Sequence, residues 1–124
     1  MSLKALVQLF AEKFLVSKKE WVSHQRNADF SKAVTLSLPN DNDYHQYVPP
    51  CDGMFVMGQN TTGKGYLEAN CYGVTFYLSQ DYSSIYYQGF SFQVNKGQSV
   101  SYKANAANRG NLSSCRFVPF VSGS

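Results

Sequence analysis

The chain has 124 residues, of which 44% are hydrophobic and 15% aromatic but only 15% charged, with a formal net charge of +3. That composition excludes an intrinsically disordered polymer, and the length suits one domain with a core of its own. The basic excess is confined to the N-terminal arm, where Lys4, Lys13, Lys18, Lys19, Arg26 and Lys32 face only Glu12, Glu20 and Asp29; the rest is neutral, which argues against a nucleic-acid-binding domain.

Residues 3–22 read as an amphipathic helix. Leu3, Val7, Phe10, Phe14 and Trp21 follow a heptad seam with Ser17 as its polar slot, and Leu6 and Leu15 widen the stripe. An isolated helix of this length is marginal in water, so the stripe needs company. The partner is the β domain, other copies of the same helix, or a membrane surface. Apolar runs fall short of the ~20 residues of a membrane span. Charged residues break the first apolar stretch, so no signal peptide is read, and synthesis in a cytoplasm is expected.

From residue 30 the period shortens to two. Val34, Leu36 and Leu38 alternate with Thr35 and Ser37, as in a half-buried strand. Pro39 to Asp43 reads as a polar turn, and Pro49-Pro50 as an extended approach to Cys51. Further short strands follow at Met54–Met57, Tyr66–Ala69, Val74–Leu78, Ile85–Val94, Ser99–Lys103 and Cys115–Val121. Turns are expected at Gly58–Gly65, Cys71–Gly73, Gln80–Ser84, Asn95–Gly97 and Asn105–Asn111, with a bulge at Gly89 and a mobile loop over 104–111. About eight short strands suggest an all-β fold, a single jelly-roll or β-sandwich domain preceded by the helix. The expected division is 1–27 for the helix and 28–124 for the β domain.

Reactive groups are sparse. Gly58-Gln-Asn-Thr-Thr-Gly63-Lys64-Gly65 approaches a phosphate-binding loop, but Gly65 stands where a hydroxyl is needed, and strand-like residues follow. Asp41, Asp43 and His45 begin like a calcium loop that Gln46 and Pro49-Pro50 spoil. His24 and His45 have no paired nucleophile in sequence, and Asp52, Glu68 and Asp81 show no spacing that selects a glycosidase pair. Asn60-Thr61-Thr62 and Asn111-Leu112-Ser113 match the glycosylation pattern, which is irrelevant without export. Cys51, Cys71 and Cys115 are expected as reduced thiols, with a Cys71–Cys115 or Cys51–Cys71 bridge left open. The reading is therefore a non-enzyme with no catalytic, cofactor or metal residues; a small glycan hydrolase is the least favoured alternative. Of nine tyrosines, Tyr77, Tyr82, Tyr86 and Tyr87 are the candidate ligand-binding residues, because a ring with a polar tip suits both sugars and proteins.

Three stretches carry a resemblance: Tyr47-Val48-Pro49-Pro50-Cys51-Asp52-Gly53, Asn95-Lys96-Gly97-Gln98-Ser99-Val100 and Cys115-Arg116-Phe117-Val118-Pro119-Phe120. They resemble the small jelly-roll modules of tailed-phage and prophage virion proteins, of tail-fibre or decoration type, and are similar to jelly rolls of the complement-C1q and tumour-necrosis-factor type. The resemblance covers roughly residues 44–121 and rests on turn chemistry. It implies a virion-associated, non-enzymatic homo-oligomer made in a bacterial cytoplasm, with a trimer favoured, whose β domain touches a host-surface glycan or protein. In that picture Leu3, Val7, Phe10, Phe14 and Trp21 form the oligomer contact. The rival is an interaction protein whose basic helix lies on an acidic membrane surface or in a partner groove.

Overall fold

A computed structural model describes residues 2–9 and 27–121. It divides into two compact units, residues 1–27 with 121–124 and residues 28–120. In the first, residues 3–9 form a helix, α1. Ser2 caps it: its hydroxyl accepts from the Ala5 N–H at 3.1 Å and its carbonyl from the Leu6 N–H at 3.0 Å. Leu3, Leu6, Val7 and Leu9 are all exposed on α1. Phe10, Phe14 and Trp21 lie outside the described residues, as does most of the expected helix 3–22.

The second unit is all β apart from one 3-10 turn, Phe30–Lys32. Its strands are β1 (Val34–Leu36), β2 (His45–Tyr47), β3 (Gly53–Cys71), β4 (Val74–Val94), β5 (Val100–Arg109) and β6 (Ser114–Pro119). They make one antiparallel sheet in the order β1-β6-β3-β5-β2, with β4 on the other side of β3. The all-β expectation holds, but the eight short strands do not. Met54–Met57 and Tyr66–Ala69 belong to one strand of 19 residues, and Val74–Leu78 and Ile85–Val94 to one of 21. The expected turns at Gly58–Gly65 and Gln80–Ser84 are strand interior. The same is true of 104–109, the first part of the expected mobile loop. His45–Tyr47, where the sequence suggests no strand, pairs with β5.

A straight strand of 21 residues would reach about 70 Å, far beyond a domain of this size. The hairpin therefore folds over. β5 lies along the second half of β3, from Thr61↔Arg109 to Cys71↔Val100, and β6 lies along the first half, from Gly53↔Pro119 to Gly58↔Ser114. Register slips at Thr61/Gly63 against β4 and at Thr62/Gly65 against β5, and Gly63 takes a positive φ of 77°. The bulge is here and not at Gly89, which pairs in regular register with Gly58.

Beyond the bend the inward faces of the two halves meet. Phe55 and Met57 from the first half and Leu67 and Ala69 from the second are fully buried. They pack with Val94, Val100, Tyr102, Ala104, Cys115 and Phe117. Ring contacts cross between layers at Phe55–Tyr102 (5.4 Å) and Tyr47–Phe117 (5.5 Å). The Cys71–Val74 end closes through a two-residue turn, Tyr72-Gly73, with φ of 49° and 80°. This is the turn whose twist suits a hairpin.

Candidate ligand-binding surface

Where β4 bends, the register runs from Thr61↔Tyr86 to Gly63↔Tyr82. β4 therefore places Ser83, Ser84 and Ile85 opposite Thr62 alone, and the surplus bows outward. Tyr82, Ile85, Tyr86 and Tyr87 are all about half exposed on that bow. Tyr82 and Tyr86 meet with ring centroids 4.8 Å apart and planes tilted by 45°. Tyr87 lies back over the sheet; a methyl on Gly58 would strike its hydroxyl, and one on Gly89 would sit 3.3 Å from it. The glycine pair thus makes a slot for the Tyr87 ring.

Tyr77 belongs to a different cluster. Its ring stacks on Tyr66 at 6.3 Å, and Tyr66 O–H donates to the Glu68 carboxylate at 2.6 Å. Lys103 Nζ sits 4.5 Å from the Tyr44 ring centroid and 5.6 Å from that of Tyr66. Register puts Tyr77, Glu68 and Lys103 in one cross-strand row. The hydrogen bond to Glu68 pushes the Tyr66 phenol up to about 12. Burial raises Glu68, but hydrogen bonds from Tyr44 and Tyr66 and the nearby Lys103 outweigh it, leaving the carboxyl below its usual value.

Beneath the bend is a polar interior that the sequence did not announce. Gln59, Asn60, Thr61 and Gln80 are buried. Gln59 Nε2 donates to the Tyr66 and Asn105 carbonyls, and Thr61 Oγ1 to the Asn108 carbonyl. Neither Gln80 amide atom has a partner among the described residues. Gln80 lines a shallow hollow of about 520 Å³ shared with Lys64, Tyr66, Ser79, Asp81 and Asn105. The phosphate-loop look-alike Gly58–Gly65 runs through this region as strand, so its amides serve ladders.

The remaining groups disperse. Asp41 accepts from the Asp43 N–H and meets His45 Nε2 at 3.0 Å, contacts that hold its carboxyl below the ordinary value in spite of some burial. Asp52 accepts from the Lys96 N–H at 2.8 Å, and Asp81 stands opposite Lys64. Among the described residues no three His, Cys, Asp or Glu side chains gather as metal ligands would. Cys51, Cys71 and Cys115 are free, and burial pushes the Cys115 thiol up to about 12. Arg109 was also unforeseen. Its Nη1 donates to the Leu38 carbonyl at 2.5 Å, and burial lowers its pKa while Asp41 partly restores it.

No protein-family model matches the chain, and no curated protein is similar to it at a significant level.

Proposed function

We propose that the protein is a non-enzymatic binding module of the phage or prophage virion type, built on a jelly-roll-like sandwich. It self-associates through its N-terminal helix, with a trimer favoured, and presents tyrosines to a host-surface glycan or protein. The observation that carries this reading is the exposed Tyr82–Tyr86 pair on the outward bow of β4. The two rings, tilted by 45° and flanked by Ile85 and Tyr87, give an exposed angled apolar platform with phenol tips, suited to a sugar ring or to a protein loop. The Tyr77–Tyr66 stack supplies a second aromatic surface with fixed charges beside it.

The test is binding of the full chain to arrayed neutral bacterial surface oligosaccharides and to whole bacterial cells. Retention that is lost on Tyr82→Ala with Tyr86→Ala, with circular dichroism unchanged, supports the platform. Retention that survives the double change, or no retention on either probe, overturns it.

A second reading rests on α1, where Leu3, Leu6, Val7 and Leu9 are exposed beside Lys4. An apolar helix face with a basic flank also suits an acidic lipid surface. Co-sedimentation with phosphatidylserine vesicles decides it: binding that Val7→Asp abolishes and salt weakens favours the membrane, and no binding removes that reading.

A further inference from the structure

We propose that the free edge of β4 is a twofold self-pairing surface, on which a second copy of the chain extends both layers of the sandwich at once. Among the described residues β4 pairs with β3 alone, so its outer edge is open from Val74 to Val94. Natural edges of such length are blunted by lysines, prolines or twist. This one has no proline and a single charge, Asp81, while Val74, Tyr77, Ile85 and Tyr86 are exposed along it.

The occupant is identified by a symmetry in the residues. About Ser84 the even positions of the strand read almost the same in both directions, while the odd positions do not: Val74 matches Val94, Phe76 matches Phe92, Gln80 matches Gln88 and Tyr82 matches Tyr86, with Leu78 against Phe90. The fold already uses this mirror within one chain, since Phe76 stacks on Phe92 and Tyr82 meets Tyr86. The limbs 74–80 and 88–94 therefore run side by side in opposite layers, in opposite directions and level with each other. From Phe76 to Gln80 and from Gln88 to Val94 the even-numbered residues are the less exposed ones, whereas Val74 at the hairpin end is exposed.

Rotate a second copy by half a turn about an axis along the strands, between the layers. Limb 74–80 of each copy then lies antiparallel to limb 88–94 of the other, with Thr75 opposite Gln93 and Tyr77 opposite Ser91. Over Phe76–Gln80 against Gln88–Phe92, inward residues meet inward residues in both ladders. An unrelated strand could satisfy one limb; a second copy satisfies both in one register. The same rotation sets Gln80, whose buried amide has no partner among the described residues, opposite Gln88 of the second copy. This contact is independent of the helix. Combined with a threefold helix contact it gives a dihedral assembly, and without one a dimer.

The test uses the full chain and light scattering over a range of concentrations. Thr75→Lys with Gln93→Lys sets like charges opposite each other twice across the interface, yet within one chain the two positions lie on opposite outer faces. Association by the twofold step should weaken roughly tenfold or more, while Thr75→Glu with Gln93→Lys should preserve it. A mass unchanged by the lysine pair overturns the proposal, as does a charge-swapped pair that behaves like the lysine pair. Hydrogen exchange of the unaltered chain stands in if the variants fail to fold. The Cys71↔Val74 closure directs the Thr75, Tyr77 and Ser79 N–H groups to the free edge. Protection of those amides that rises with concentration is expected, and exchange at open-backbone rates at every concentration overturns it.

Discussion

Phe76 and Phe92 belong to the same strand, yet their rings stack with centroids 4.5 Å apart and planes 7° from parallel. The contact can form only because β4 folds back on itself. It holds the two layers together at the edge where the core cluster of Phe55 and Val94 ends. Phe90 joins from the next inward position, 6.1 Å from Phe76. Both stacked rings are half-buried, so truncation costs less than for a fully enclosed phenylalanine. Phe76→Ala should lower stability by about 2 kcal/mol in urea unfolding. With Phe92→Ala in a double-mutant cycle, the coupling should be about 1 kcal/mol. Additive costs would mean that the stack does not join the layers.

Gly53 and Gly73 answer different needs, and alanine should separate them. A methyl on Gly53 would lie 2.4 Å from the Val118 carbonyl oxygen and 2.7 Å from the Phe117 ring, so backbone of β6 would have to move. Gly73 has open space around it but a φ of +80°. Gly53→Ala should cost about 3 kcal/mol or more, by overpacking and a broken ladder. Gly73→Ala should cost only about 1 kcal/mol, from backbone strain in the turn. Thermal midpoints of the two variants check the order.

The two-residue period was legible wherever one face is buried. The even residues Gln88, Phe90, Phe92 and Val94 were readable for that reason, whereas in Val34–Leu36 only Leu36 is half-buried. The fusion of short strands into β3 and β4 was not, because Gly58, Gly63, Gly65, Asn60 and Thr61 carry turn chemistry in sequence. In the fold those residues make the bend of a continuous strand, and the ladder continues through them with one slip in register. The Tyr82–Tyr86 meeting was half legible. Their spacing on one face is evident, but the bow that brings the rings together comes from unequal strand lengths at the bulge. By composition Tyr77 groups with them, whereas the sheet places it with Tyr66. The Gln59, Thr61 and Gln80 interior could have been suspected only from polar residues at inward positions, which needs the register first.

Asn60 shows what that polar interior does locally. Its Oδ1 accepts from the Leu112 N–H at 2.9 Å, and its carbonyl accepts from the Gly110 N–H at 2.7 Å. It thereby holds the break between β5 and β6, where the strand that accompanies β3 switches layers. Asn60→Ala removes the side-chain acceptor and leaves the Leu112 N–H unpaired, at a cost of about 1–2 kcal/mol. Amide exchange should quicken at Leu112 and Ser113 while Phe55 and Tyr102 keep their protection. Asn60→Asp keeps the acceptor and should restore slow exchange at Leu112.

The alkaline limb of stability follows chiefly from three of the groups whose neutral forms the fold prefers, beside smaller upward shifts that burial gives Cys71 and Tyr47. Burial raises Cys115 from 9.0 to about 12 and Tyr102 from 10.0 to about 12, and the hydrogen bond to Glu68 raises Tyr66 to the same value. Tyr102 is also fixed by its O–H, which donates to the Ser37 carbonyl at 2.8 Å. In the unfolded chain each group loses its proton near its ordinary value; in the folded chain each keeps it. The unfolded state therefore binds fewer protons above pH 9, and stability must fall as pH rises. The contribution of all three is complete below pH 9, begins to fade as the Cys115 window opens, and is lost as pH passes about 12. Urea midpoints measured from pH 8 upward should decline from about pH 9, and Cys115→Ala should make the decline between about pH 9 and pH 10 shallower, leaving there the smaller share of Cys71. Tyrosinate absorbance of the folded chain should show a late-titrating fraction that Tyr66→Phe and Tyr102→Phe each reduce. A midpoint that stays level to pH 11 would mean that these groups ionise alike in both states.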